Sequence, residues 1–156
     1  MERKERKLRL WFFLLAVNLV IIWGNSLLPG EISAAISGGL KTFLMKLLPA
    51  RQGGGSGGSG LLRKMAPFAE FTCLGICLSQ IFRILKTKTS QWLLLPLIWG
   101  VVVACVDETI QCFVPDRGPR LFDVGLDSCG VVTGIFIISL IHYFKKKRKI
   151  LEEKQV

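Results

Sequence analysis

The sequence predicts an all-α integral membrane protein: a four-transmembrane-helix bundle with an extra amphipathic interfacial helix on its outer face. The 156 residues are 51% hydrophobic, with a mean hydropathy of +0.47, yet the chain carries a net charge of +10. A soluble domain of this length could not bury so much apolar surface. The charged residues also lie between apolar segments, four of which approach the ~20 residues of helix that cross a bilayer core.

The predicted membrane spans are residues 9–28, 62–86, 91–113 and 121–144 of a single membrane domain that covers 1–156. The first span follows basic residues, as in a signal peptide. Its apolar core is too long for one, however, and no A-x-A-like cleavage site follows, so we expect a retained anchor.

The distribution of lysine and arginine predicts the orientation. Of the 21 basic residues, 14 lie in the amino-terminal segment, in the connection after the second span and in a basic tail at 145–156. The positive-inside rule then places both termini in the cytoplasm and the other two connections outside the cell membrane. This clustering accounts for the basicity, so the expected partners are membrane lipids, and nucleic acid is not expected.

The long outer connection contains two distinct segments. Residues 36–49 place their large apolar side chains on one helical stripe but are too few to span, which predicts an interfacial helix. Residues 51–60, "RQGGGSGGSG", have the composition of a flexible spacer. An engineered join and a phosphate-binding loop are the alternatives, although "GSGLLRK" lacks the Gly-Lys-Ser/Thr ending of a Walker loop.

The five cysteines do not indicate a metal or disulfide framework. They lie almost entirely within the predicted spans and none is in C-x-x-C spacing, so we expect small buried apolar side chains.

Polar residues of all four spans are predicted to meet at one depth, the outer headgroup boundary. Asp107 with Gln111, and Asp123 with Asp127, are four residues apart and share helix faces. Ionisable groups within a span cost about 2.5–3.5 kcal/mol each, which favours a shared cavity or mutual pairing. The candidate catalytic residues are Asp107, Glu108, Asp123 and Asp127. The candidate binding residues are Asn25, Ser26, Lys64, Glu70, Gln111 and Arg117.

Three chemical interpretations of these residues stay open. The four catalytic candidates suit acid/base work on a sugar or phosphate headgroup, or they could hold a divalent cation, with Arg117 as the clamp for an anion. Alternatively the carboxylates are merely interfacial, or Asp107 and Asp127 pair with Arg117 and Arg120. No complete catalytic signature is present, so the sequence does not decide whether the protein is an enzyme.

Gly130 and Gly134 form a G-x-x-x-G pair in the fourth span. Such a pair lets another helix approach closely, and it predicts a contact within the bundle or, less directly, association with a second membrane protein.

Three stretches of the sequence resemble the VanZ-like family. The most specific is "DETIQCFVPDRGPRLFDVGLDSCGVVTG", where the acidic pair, Gln111, Phe113-x-Pro115-x-Arg117, Asp123-Val124 and the two glycines match the family pattern. "WGNSLLP" and "RKMAPFAEF" support it. Pro67 departs from the pattern, because the family usually has a histidine there. Glycine-rich stretches before this helix are also typical of similar proteins, which argues against an engineered join.

The resemblance implies a cell-envelope membrane protein associated with resistance to glycopeptide antibiotics, especially teicoplanin, and supplies no settled reaction. Our first hypothesis is an outward-facing polar cavity for an amphiphilic or lipid-linked ligand. The alternatives are a carboxylate-based hydrolase or transferase that acts on a lipid phosphate or sugar headgroup, and a non-catalytic interaction partner of other membrane proteins.

Overall fold

The computed structural model describes residues 2–28, 58–85, 89–115 and 120–153, and this part of the chain is helical with no strand. The helices are α1 (Glu2–Leu27), α2 (Gly58–Ile84), α3 (Thr89–Gln111) and α4 (Leu121–Glu153). All four are long and apolar enough to cross a membrane. The predicted all-α, four-span fold is therefore confirmed. The predicted interfacial helix at 36–49 lies outside the described residues.

Two helices extend beyond their predicted spans. α2 begins at Gly58, within the glycine-rich segment, of which residues 51–57 lie outside the described part of the chain. α4 continues through the predicted basic tail to Glu153. Lysine and arginine are good helix formers, and Arg148 bonds to Glu152 one turn later at 2.9 Å, so the helix has no reason to end at the edge of the apolar segment.

α2 is the central helix and packs against the other three, most extensively against α4. Glycine makes this contact close. A Cβ added at Gly130 would lie 2.7 Å from the carbonyl oxygen of Phe68, and one at Gly134 would meet the backbone of Thr72 and Ile76. The G-x-x-x-G pair is thus buried between two helices of the same chain, as small residues are in membrane bundles generally.

The core lies along the central contact and is closed by α1 and α3. Its buried side chains are Ile22, Phe71, Leu74, Leu78, Ala104, Val131 and Ile135. Many other large apolar side chains, such as Phe13, Val20 and Phe136, are exposed on the outside of the bundle. That pattern is expected of helices whose outer faces contact lipid.

The cysteines differ from the prediction. All five are free, but only Cys77 is buried, while Cys73, Cys105, Cys112 and Cys129 lie on exposed faces. The expectation of buried cysteines was wrong because an apolar span has no polar side from which burial can be inferred, and a small apolar side chain suits a face toward lipid as well as a core.

Candidate polar binding site

The polar side chains meet near the ends of α1 and α3, about three turns into α2 and in the first two turns of α4. We call this the polar end of the bundle. Between α1 and α2, the Asn25 side-chain amide donates to Glu70 Oε1 at 2.5 Å. Deeper in the span, Asn18 Nδ2 donates to the backbone carbonyl of Glu70 at 3.3 Å. Two amides of α1 therefore fix its position against the same residue of α2.

Between α1 and α3, three polar side chains form a closed arrangement. The Ser26 hydroxyl donates to Asp107 Oδ1 at 2.6 Å, and Gln111 Nε2 donates to Asp107 Oδ2 at 2.8 Å. Gln111 Nε2 also lies 3.3 Å from the Ser26 hydroxyl oxygen, which accepts from it. Both Ser26 and Asp107 are buried, at 4% exposed each. Both oxygens of the Asp107 carboxylate thus have donors in the folded chain.

Between α3 and α4, a carboxylate meets a helix amino terminus. The backbone N–H of Arg120 donates to Glu108 Oε2 at 2.9 Å, and the next helix begins at Leu121. The first N–H groups of a helix have no partners within it and carry partial positive charge, so a carboxylate is stabilised there. The Arg120 side chain itself is exposed. Arg120 therefore binds Glu108 through its backbone N–H. The ion pair considered in the sequence analysis would have used the Arg120 guanidinium instead.

Asp127 differs from the other carboxylates. It is buried, at 3% exposed, and no hydrogen bond reaches its side chain from the described residues. Glu70, Asp107, Glu108 and Asp123 all lie close enough for their charges to act on it. Burial of a carboxyl group is costly unless it is hydrogen-bonded, so a donor from water, from a ligand or from outside the described residues is expected at Asp127.

Asp127, the carboxylates whose charges act on it and the side chains that bond to those carboxylates form one group, to which all four helices contribute. We call this group the polar cluster: Asn25, Ser26, Glu70, Asp107, Glu108, Gln111, Asp123 and Asp127.

A family model described as VanZ/LLP1 matches residues 10–142. The chain belongs to the VanZ/LLP1 family. The matched segment includes α2 and α3, most of α1 and α4, and every member of the polar cluster. Comparisons with curated proteins and with solved structures give no significant match.

The polar cluster of this VanZ/LLP1 chain contains eight of the ten residues that the sequence singled out. The other two are Lys64, whose side chain is outside the described part of the structure, and Arg117, which lies outside it altogether. The sequence analysis missed Asn18 and the backbone N–H of Arg120. A polar residue in the middle of an apolar span was the available signal for Asn18, but nothing in the sequence marks a main-chain donor.

The divalent-cation hypothesis finds no complete ligand set among the described residues. Within 2–28, 58–85, 89–115 and 120–153, no three His, Cys, Asp or Glu side chains are arranged to hold one metal ion. Asp107 and Glu108 instead use carboxylate oxygens to accept bonds from Ser26, Gln111 and the Arg120 main chain. The described residues form a hydrogen-bonded polar site in which the buried carboxyl group of Asp127 accepts no bond from them.

Proposed function

We propose that this VanZ/LLP1 protein is a multi-pass protein of the cell membrane whose polar cluster binds the polar part of an amphiphilic or lipid-linked ligand of the envelope. In this proposal both termini are cytoplasmic and the polar end faces outward. Tolerance of glycopeptide antibiotics, especially teicoplanin and other lipoglycopeptides, would be the consequence of that binding. Family membership supports the class of function, and the polar cluster supports the site.

The observation that carries the proposal is the contrast between Asp127 and its neighbours. Glu70, Asp107 and Glu108 each accept hydrogen bonds that join helices, so their role in the fold is sufficient to explain them. Asp127 joins nothing among the described residues, although it is buried at the point where the other carboxylates converge. A donor group on a ligand would supply the missing bond.

An amphiphilic ligand fits the position of the site. The polar cluster lies in the last turns of α1 and α3, at the end of apolar faces that would contact lipid. A ligand with an acyl chain and a polar head could leave the chain in the lipid and place the head at the cluster.

Susceptibility of a Gram-positive host tests this proposal. Expression of the wild-type protein should raise tolerance to a lipoglycopeptide more than to vancomycin, and Asp127→Asn, which keeps the shape but not the charge, should abolish the increase. Glu152→Gln removes a carboxylate at the opposite end of α4 and should behave as wild type. Equal susceptibility with and without wild-type protein, at matched membrane levels, would overturn the proposal.

Acid/base catalysis at the same site is a second candidate function. It is favoured by the different surroundings of two neighbouring carboxyl groups, since Asp107 is hydrogen-bonded at both oxygens and Asp127 is not. Such pairs divide the acid and base roles in many hydrolases. Envelope lipids and wall precursors should then differ between a deletion strain complemented with wild type and one complemented with Asp127→Asn. Identical profiles would leave binding alone as the function.

A further inference from the structure

Two buried donors lie near the opposite end of α2, far from the polar cluster. Ser79 is fully buried and its hydroxyl has no hydrogen-bond partner, and the same is true of Nη1 of Arg83. Other hydroxyls in these helices, such as those of Thr72, Ser128 and Ser139, donate to the carbonyl four residues earlier. Ser79 does not, so an ordinary helical environment leaves its hydroxyl unexplained.

Ser79 and Arg83 are four residues apart and therefore share one face of α2. Side chains at this spacing have Cβ atoms about 5–6 Å apart, so one acceptor oxygen between the two donors can bond to both. Leaving such donors buried without an acceptor is unfavourable. The pair therefore requires an acceptor that neither α2 nor its neighbours provide in the described residues.

The surroundings of Arg83 indicate that the missing acceptor is an anionic group at the depth of the lipid headgroups. The guanidinium carbon lies 5.4 Å from the centre of the Trp92 ring, in the first turns of α3. Tryptophan side chains concentrate at the membrane–water interface. The two ion pairs of the described residues, Arg9–Glu5 and Arg148–Glu152, do not involve Arg83, so its charge has no carboxylate partner there.

His142 of α4 adds a further polar group on the same side. Its Nδ1 donates to the carbonyl of Ile138 at 2.9 Å, so Nε2 of the neutral ring is an acceptor. The charges of Arg83 and Lys145 both act on the ring, so the three side chains lie near the same end of the bundle. Exposed lysines continue along α4 from Lys145, and they raise the local concentration of anionic lipid.

We propose that Arg83 and Ser79 bind the phosphate of an anionic phospholipid, with Trp92 packed against the guanidinium and His142 near the same end of the bundle. Arg83 is partly buried, and its guanidinium meets the phosphate with two N–H groups, because its planar fork matches two phosphate oxygens. One of those oxygens also accepts from the Ser79 hydroxyl. The acyl chains lie on the exposed apolar faces of the bundle. This site is separate from the polar cluster, and the proposal does not depend on its function.

Lipid-induced thermal stabilisation of the full chain in detergent tests the site. Added phosphatidylglycerol should stabilise the wild-type protein more than phosphatidylcholine does. Arg83→Gln should raise the half-maximal phosphatidylglycerol concentration about tenfold, the change expected from loss of a charged, two-bond contact. Lys146→Gln removes one exposed charge of the same end and should change it by less than about twofold.

Ser79→Ala keeps the test decisive if Arg83→Gln does not fold. Removal of an unsatisfied buried hydroxyl should leave the lipid-free protein at least as stable as wild type. The same variant should nevertheless weaken the response to phosphatidylglycerol, because one donor to the phosphate is lost. A hydroxyl with only a packing role would leave that response unchanged.

Three results would overturn the assignment. The first is an unchanged phosphatidylglycerol response in both Arg83→Gln and Ser79→Ala, as expected if a bound water serves the two donors. The second is an equal loss in Lys146→Gln and Arg83→Gln, which would indicate general attraction to a basic surface. The third is an equal, Arg83-dependent response to soluble glycerol phosphate, which would assign the site to a free phosphate compound rather than to a lipid.

Discussion

The shortest bond that joins Ser26 of α1 to α3 goes to Asp107, and the effect of removing the hydroxyl should be measurable. The hydroxyl donates to the buried carboxylate of Asp107 at 2.6 Å. We predict that Ser26→Ala lowers the free energy of unfolding by about 1–3 kcal/mol, because a bond to a buried charged group is lost and water does not replace it. Thermal or denaturant unfolding in detergent micelles measures the change.

Ser139→Ala is the matched control for this substitution. The Ser139 hydroxyl bonds only to the carbonyl of Ile135 in its own helix, and that carbonyl keeps its helical partner when the hydroxyl is removed. Its stability should stay within about 0.5 kcal/mol of wild type. Comparable losses in both variants would show that the Ser26–Asp107 bond has no special weight.

At the scale of elements, the contact between α2 and α4 depends on the absence of side chains. At Gly130 an added methyl group would meet the Phe68 carbonyl and the Phe71 side chain. Gly130→Ala should therefore force the two helices apart and destabilise the protein by about 1–3 kcal/mol. The measurement is again thermal unfolding in micelles.

Gly125 lies in the same helix, and its substitution by alanine should have the opposite effect on stability. Nothing lies within 4 Å of a Cβ added there. Gly125→Ala should stabilise α4 by up to about 1 kcal/mol through the higher helix propensity of alanine. Destabilisation by both substitutions would mean that α4 tolerates no alanine for reasons unrelated to its contact with α2.

The four helices could be predicted from the sequence, because the length of an apolar segment is fixed by the thickness of the bilayer. Their rotations could not. The spans are apolar all round, so no polar face indicates which side is buried, and the cysteines were misplaced for that reason. The helical continuation of α4 into the basic tail could not be inferred from the apolar segment alone, although good helix formers follow its last apolar residue.

That the residues of the polar cluster lie close together could be predicted, but their bonds could not. Positions near the ends of the spans place Asn25, Glu70 and Asp107 at similar depth. Their pairing depends on how α1 is rotated against α2 and α3, over separations of 45 residues for Asn25–Glu70 and 81 for Ser26–Asp107. Only the packing of the folded chain determines these contacts.

At the scale of the whole molecule, the predicted orientation gives opposite labelling at the two ends of the bundle. In a variant whose five cysteines are replaced by alanine, a membrane-impermeant maleimide should label Phe113→Cys in intact cells, because Phe113 is highly exposed at the polar end. Lys147→Cys, exposed near the end of α4, should react only after permeabilisation. The positive-inside rule supplies both expectations.

The reverse pattern would place the polar end in the cytoplasm and remove the basis for binding an external antibiotic or wall precursor there. The phospholipid site near Arg83 would not be affected, because its test is made in detergent and does not depend on the orientation of the protein in a membrane.

The bonds of α1 have a consequence for how the protein is made. A chain leaves the ribosome amino terminus first, so Asn18, Asn25 and Ser26 enter the membrane well before Glu70 and Asp107 have been synthesised. Asn25 and Ser26 are in the last turn of α1 and can stay hydrated at the headgroups until Glu70 and Asp107 have been synthesised. Asn18 sits deeper, where water is scarce. Release of α1 from the insertion machinery is therefore most favourable once α2 has been synthesised and can accept its amide.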